Sequence, residues 1–471
     1  GARIEITFGA QLIAEGLDDR KIIFTSKLDD KYGAGGTFDT NKDDGPNEAS
    51  PERGDWGGLY AGPMGQLNLD RVYLAFGGGN NNKIEGTFTG FNVIEIHQAD
   101  ARIANSVIEQ NALGTGGQGS AQRFGRGVNA GATIISGVRY DYGATIFVRG
   151  AQPVILNNII RNNEDVAISI NLDSFTAEPL ADPGRASGQI DQVTLYRDNR
   201  GPLIRGNRLA DNGNQTDENG NLVPNNNGNL LRDWRGTNGM EIRTAAVWNA
   251  GTSADTRDDT LRPVGITLST ESVWDDTDIV HMLYDEVRVS NLHVEGGLRL
   301  QSSSNESLVV KMSGPGVLGD VYNRNPTIGA GFTATGNPSD TSDRIGGTVY
   351  VLGQPGFPVV LTSIHDDTVG AGVQPDGQPQ KDTNNNRSRS TPQAGDWRSV
   401  RLDQNSHDRN VEIVVELSAP EETAPGLNGI PDGAQFLGDL APDEVSGDDN
   451  LRLGFEIHGF VNAPDDIDYY S

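Results

Sequence analysis

Apolar residues fall along this chain in short runs broken by Gly, Asn and Asp, and no stretch keeps the period of a long amphipathic helix. Three runs share one template: ARIANSVIEQN (101–111), PVILNNIIRNN (153–163) and PLIRGNRLADN (202–212). An apolar residue stands third in each (Ile103, Ile155, Ile204) and another five places later (Ile108, Ile160, Leu209). Asn closes each run at Asn111, Asn163 and Asn212, and a polar residue sits between, at Ser106, Asn158 and Asn207. The separations are 155 − 103 = 52 and 204 − 155 = 49, about two turns of a solenoid with roughly 25 residues per coil. Short strands with alternating side chains would stack Ile on Ile between turns. Asn at the corners would tolerate left-handed backbone and stack in ladders. The pattern predicts an all-β chain: a right-handed parallel β-helix with long polar loop insertions and a short C-terminal β segment. An ordinary β-sandwich is the competing arrangement.

AISINLD (167–173) and LVVKM (308–312) supply further short strands. The polar stretches 211–229 and 375–393 cannot bury apolar surface and are expected to project from corners. After Leu417 the texture changes. Residues 418–433, SAPEETAPGLNGIPDG, read as a linker. LRLGFEIHGFV (451–461) then alternates, with Leu451, Leu453, Phe455 and Ile457 on one face. The expected organisation is a β-helix over 1–417, a linker over 418–433 and a β segment over 434–471, an incomplete or partner-completed sandwich.

One unit is present twice. IIFTSKLDDKYGAG (22–35) answers VVLTSIHDDTVGAG (359–372), DTNKD (39–43) answers DTNNN (382–386), and Gly-Asp-Trp recurs at 54–56 and 395–397. The register is common, since 353 − 16 = 337 and 366 − 29 = 337. A reused strand–loop–strand unit over about 9–66 and 346–405 accounts for this. Asp39, Asn41 and Asp43, like Asp382, Asn384 and Asn386, place oxygen side chains on alternate residues. Such a loop can wrap Ca²⁺, which takes about six to eight oxygens. With Asp29–Asp30 and Asp366–Asp367 at matching places, both copies are candidate Ca²⁺ loops. Neither is an EF-hand, because the Gly and the closing Glu are missing. An Asn/Asp-rich turn without metal is the alternative.

The net charge of the 471 residues is −28, with a pI near 4.5. Such a surface repels phosphate backbones and anionic lipid, which disfavours nucleic acid and direct membrane insertion. No cysteine is present, which excludes disulfides and thiol chemistry. The sequence begins at Gly1, so a cleaved leader or a longer parent protein is expected.

The succession GAQLIAEGLDDRKIIFTS, GDWGGLYAG, LDRVYLAFGGG, ARIANSVIEQN resembles the right-handed parallel β-helix regions of large secreted bacterial surface proteins, over most of 1–415. The tail from Gly433 onward resembles the opening of a pre-peptidase C-terminal type β-sandwich. The resemblance implies an extracellular or cell-surface location and no particular reaction. Pectin-degrading enzymes also use parallel β-helices, but the Gly-His-Gly signature of polygalacturonase-like enzymes is absent and the six His are scattered. Adjacent carboxylates such as Asp275–Asp276 point to opposite faces of a strand and make no catalytic pair. The expected function is a non-catalytic structural or adhesive module that self-associates through 434–471 into a filament or surface layer. The alternative is a polysaccharide-degrading or carbohydrate-binding β-helix with a surface glycan as ligand.

Overall fold

The computed structural model describes residues 2–33, 37–43, 48–81, 89–90, 92–112, 139–140, 144–213, 236–243, 246–249, 260–263, 266–268, 270–284, 286–289, 297–313, 329–336, 347–386, 391–403 and 406, and the strands 413–417, 434–438 and 455–457. These residues are essentially all-β, with a single 3-10 turn at Leu172–Ser174 and no helix long and apolar enough to cross a membrane.

Nine parallel strands form sheet I: Arg3–Ile6, Gly58–Ala61, Ile94–His97, Ile146–Arg149, Ile168–Asn171, Met240–Arg243, His281–Leu283, Val309–Met312 and Val360–Ser363. Beside its first half lie two five-stranded parallel sheets. Sheet II holds Gln11–Glu15, Gln66–Asp70, Asp100–Ala104, Val154–Leu156 and Leu203–Arg205. Sheet III holds Ile22–Phe24, Val72–Ala75, Val107–Glu109, Ile159–Arg161 and Arg208–Ala210. In the second half sheet IV (Ile266–Thr267, Glu286–Val289, Gly331–Ala334, Ser399–Leu402) and sheet V (Ser272–Trp274, Gly297–Gln301, Thr348–Leu352) take their places. The chain gives one strand to each sheet in turn and returns to sheet I one position along. These long parallel stacks are compatible with a parallel β-helix or solenoid.

The core follows from the alternation. In sheet I, Leu59, Ile94, Ile146, Ile168 and Met240 stand opposite one another, as do Ala61, Ile96, Val148, Ile170 and Ile242, and all are buried. β-Branched side chains suit this surface because their restricted rotamers pack well across a pleat.

The template residues sit in register. Ile103 lies opposite Ile155 and Ile155 opposite Ile204, while Ile108 lies opposite Ile160 and Ile160 opposite Leu209. Each separation of 52 or 49 residues therefore joins strands that are immediate neighbours in their sheet, one step apart and not two. The corner Asn residues form two buried ladders. In one, Asn111 Nδ2 donates to Asn163 Oδ1 (2.8 Å), Asn163 Nδ2 to Asn212 Oδ1 (2.9 Å) and Asn212 Nδ2 to Asn238 Oδ1 (3.0 Å). In the other, Asn158 Oδ1 accepts from the Ser106 amide and Asn158 Nδ2 donates to Asn207 Oδ1. The left-handed positions are the residues just before the ladder residues: Asn105, Asn157 and Gly206 at one corner, Gln110, Asn162 and Asp211 at the other.

Sheet II ends at Leu203–Arg205 for a chemical reason. The amides of Ile204 and Gly206, which another strand would otherwise accept, donate to Asp276 Oδ1 (3.0 Å) and Asp278 Oδ2 (2.6 Å). The Arg200 amide donates to Asp275 Oδ2. Alternate carboxylates on 275–278 thus imitate the carbonyls of a neighbouring strand and close the edge.

The strand Phe455–Ile457 is antiparallel to Ile413–Leu417, which also pairs with Ala434–Gly438. Ile413–Leu417, grouped by composition with the first unit, thus belongs by pairing with the tail. Residues 214–229 and 418–433, and Leu451 and Leu453, lie outside the described residues.

Candidate metal centre

The duplicated loops share a set of hydrogen bonds. Each starts from an outermost strand: Ile22–Phe24 of sheet III in the first copy, Val360–Ser363 of sheet I in the second. The unit is therefore shifted by one sheet between copies. Ser26 Oγ donates to the Asp55 carboxylate and Ser363 Oγ to Asp396. The same carboxylates accept the amides of Glu52 (3.0 Å) and Gln393 (2.9 Å). The amides of Leu28 and His365 donate to Ser26 Oγ and Ser363 Oγ at 3.0 and 3.1 Å. Farther round, the Asp43 amide donates to Asp39 Oδ1 (3.2 Å) and the Asn386 amide to Asp382 Oδ1 (2.9 Å). Lys42 and Asn385 both take positive φ, 60° and 56°. Trp56 and Trp397 pack against the apolar core, and Trp56 Nε1 donates to the Ala75 carbonyl. Arg53 donates to the carbonyl and side chain of Asn162, bracing the first loop against a later turn.

The first loop gathers carboxylates. Asp30, Asp39 and Asp43 each offer an oxygen within 4.8 Å of the others, and no other trio of such side chains meets that spacing among the described residues. Oxygens on opposite sides of one Ca²⁺ lie about 4.6–5.2 Å apart, so the trio fits one ion. Asn41 Oδ1 and Asp43 Oδ1 are buried without a hydrogen-bond partner. Asp29 is not part of the trio: Thr25 Oγ1 donates to it, as does the Lys31 amide.

The second loop is arranged otherwise. Asp366 repeats the role of Asp29, accepting from Thr362 Oγ1 (2.6 Å) and from the amide and hydroxyl of Thr368. Burial would raise this carboxyl, but those donors and the charge of Lys311 hold it below its ordinary value. Asn384 and Asn386 are buried, and Asn384 Nδ2 lies 3.4 Å from His365 Nδ1. Asp367 and Asp382, with Asp366, attract the Lys311 ammonium. Within the stretch 375–393 expected to project, residues 376–379 and 391–393 are exposed, whereas Gln380, Thr383, Asn384 and Asn386 are buried and the Thr383 carbonyl accepts the amides of Thr237 and Asn238. Ile364 is buried, with Val369 and Ala371 packed beside it against the outer face of sheet I. Beneath it Lys311 is fully buried and Nζ donates to the Lys381 carbonyl (2.8 Å). Burial pushes this amine down to about 8 against the opposing pull of Asp367, Asp366 and Asp382. The sequence reading missed Lys311; its one signal is a lone cation in the apolar run LVVKM.

On the outer face of sheet I one row runs Tyr60, Glu95, Phe147, Ser169, Glu241, Met282, Lys311. His97 Nε2 lies 2.8 Å from Glu95 Oε1, both buried. Glu95 and Glu241 are three strands apart, roughly 14 Å at about 4.8 Å per strand, well beyond the spacing of a glycosidase carboxylate pair, which is at most about 9.5 Å.

These features define an all-β chain of long parallel sheets with a duplicated acidic loop. No protein-family model, curated protein or solved structure matches it significantly.

Proposed function

We propose that the chain is a right-handed parallel β-helix serving as a non-catalytic structural module of a secreted or cell-surface protein, stiffened by Ca²⁺ at its first duplicated loop. The observation that carries this reading is the use of buried polar groups to join turns. Asn ladders, the Asp276 and Asp278 edge cap, and the buried Arg102 between Asp70 (2.5 Å) and Asp182 (2.7 Å) all bridge successive layers. A screen against acidic and neutral polysaccharides tests the non-catalytic role: the expected result is no turnover, and turnover abolished by replacing one carboxylate overturns it. Binding on a glycan array without turnover would instead favour an adhesin.

Self-association is part of the proposal. In the last turn Val351, Val400 and Leu402 stand opposite the core residues Leu300, Phe332 and Ala334, yet are 50%, 39% and 64% exposed. An apolar row left open at the end of a stack supports addition of a second copy there, with residues 434–471 contributing to the contact.

A further inference from the structure

The two loops present their carboxylates to different neighbours. In the second copy Leu361 lies opposite Val310 and Thr362 opposite Lys311. The matching residues of the first copy are Phe24 and Thr25, since 361 − 24 = 337 and 362 − 25 = 337. Phe24 lies opposite Leu74, and that strand runs on to Ala75, but it follows Ile22–Phe24 whereas Val309–Met312 precedes Val360–Ser363; Ile22–Phe24 is the first strand of its sheet, so among the described residues no strand lies on the side from which Lys311 reaches the second copy. Ala75 is fully buried and brings no charge.

The acidic partners differ in step with this. Asp30 and Asp39 match Asp367 and Asp382, but Asp43 matches Asn386. The first trio carries three carboxylates, and the neighbouring strand Val72–Ala75 carries no charge. The second carries two beside a fully buried ammonium. A divalent ion on the first leaves one negative charge, and Lys311 on the second also leaves one. A buried ammonium is strongly unfavourable unless paired and hydrogen-bonded. The Lys381 carbonyl accepts from Lys311 Nζ at 2.8 Å, and the charges of Asp367, Asp366 and Asp382 favour the ammonium.

We propose that the Lys311 ammonium is a built-in substitute for the metal ion in the second loop, so that the chain carries one exchangeable divalent-cation site, at Asp30, Asp39 and Asp43, rather than two. This rests on the Ca²⁺ reading of the first loop. The substitute fixes the second loop across sheet I whatever the Ca²⁺ concentration, and leaves the first loop as the part that responds to the ion.

Calorimetric titration of chelator-treated protein with Ca²⁺ tests the assignment. The wild type should take up one ion per chain. Asp43→Asn should weaken that binding at least tenfold, and Asp382→Asn should leave it unchanged. Lys311→Met with Asn386→Asp should take up two ions, with a melting temperature low in chelator and restored by Ca²⁺. Two ions on the wild type, or one ion lost through Asp382→Asn but not Asp43→Asn, overturn the substitution. A folded double variant that still binds one ion does the same. A wild type that binds none overturns the Ca²⁺ reading itself, a separate outcome. The two single Asn variants keep the proposal testable if the double variant does not fold.

Discussion

A single buried Asn in this fold satisfies four groups. Asn163 Nδ2 donates to Asn212 Oδ1 and to the Ile108 carbonyl, while its Oδ1 accepts from the amide and side chain of Asn111. Asn163→Ala removes them all and leaves partners buried without bonds. The expected loss is about 2–4 kcal/mol, from about 1–3 kcal/mol for each group left unsatisfied with partial relaxation; urea unfolding measures it. A loss below about 0.5 kcal/mol would show that the ladder is not holding the turns together. The ladder residues were legible because they recur at fixed offsets beside apolar residues. Lys311 was not, because its meaning depends on which strand lies beside Thr362, and loops of unequal length hide that register. Asn238, the fourth rung, was missed for the same reason: it belongs to no copy of the template.

At the scale of the element, the segment 275–278 trades solvation for edge closure. Burial raises Asp275 to about 6 and raises Asp276 well above its ordinary 3.8, with the neighbouring Asp275 charge adding to the effect on Asp276. A carboxyl raised in the folded state stabilises most below its unfolded value, and that contribution is lost as pH rises through the folded value. The segment therefore costs stability as pH climbs from about 4 through about 6. Asp276→Asn keeps an oxygen for the Ile204 amide and removes the charge. Relative to wild type, its melting temperature should rise as pH goes from 4.5 to 7.5, and Arg205 keeps Asp278 (3.3 Å) and Glu306 (2.6 Å) as partners. A difference that stays flat or falls with pH would refute this account. The adjacent pair was expected to point to opposite faces of a strand; instead the strand ends at Trp274 and both carboxylates face the Asn199 side-chain amide. The sequence reading did not see the edge role, because an Asp that replaces a strand looks like any acidic turn until the strand it closes is known.

For the whole molecule, the ion and the open end make separate demands. If Ca²⁺ binds the folded chain alone, a hundredfold excess over Kd stabilises it by about 2.7 kcal/mol. Excess chelator should then lower the melting temperature, and Asp39→Ala should mimic the chelator. An unchanged curve in chelator would remove the ion from the account. The tail bears on assembly. The alternation of 451–461 was legible as a strand in need of a partner, and the partner found is Ile413–Leu417 of the same chain. That pairing takes away the need for strand addition through Phe455–Ile457. It moves the weight of self-association to Val351, Val400 and Leu402, whose side chains point along the core rows and remain exposed. A head-to-tail contact there is heterologous and grows into an open filament unless its rotation closes a ring. Leu402→Glu with Val351→Glu should abolish concentration-dependent association in sedimentation velocity, in the presence of Ca²⁺, without lowering the melting temperature. Both positions are too exposed for the loss of their burial to destabilise the fold. Deletion of 407–471 should leave the parallel stacks folded, because none of their strand pairings involves that segment. Deletion of 434–471 alone should aggregate more, because it strips Ile413–Leu417 of both antiparallel neighbours and exposes an apolar edge. If the double Glu variant associates as the wild type does, the end of the stack is not the contact; a wild type that stays monomeric at high concentration with Ca²⁺ would refute self-association altogether.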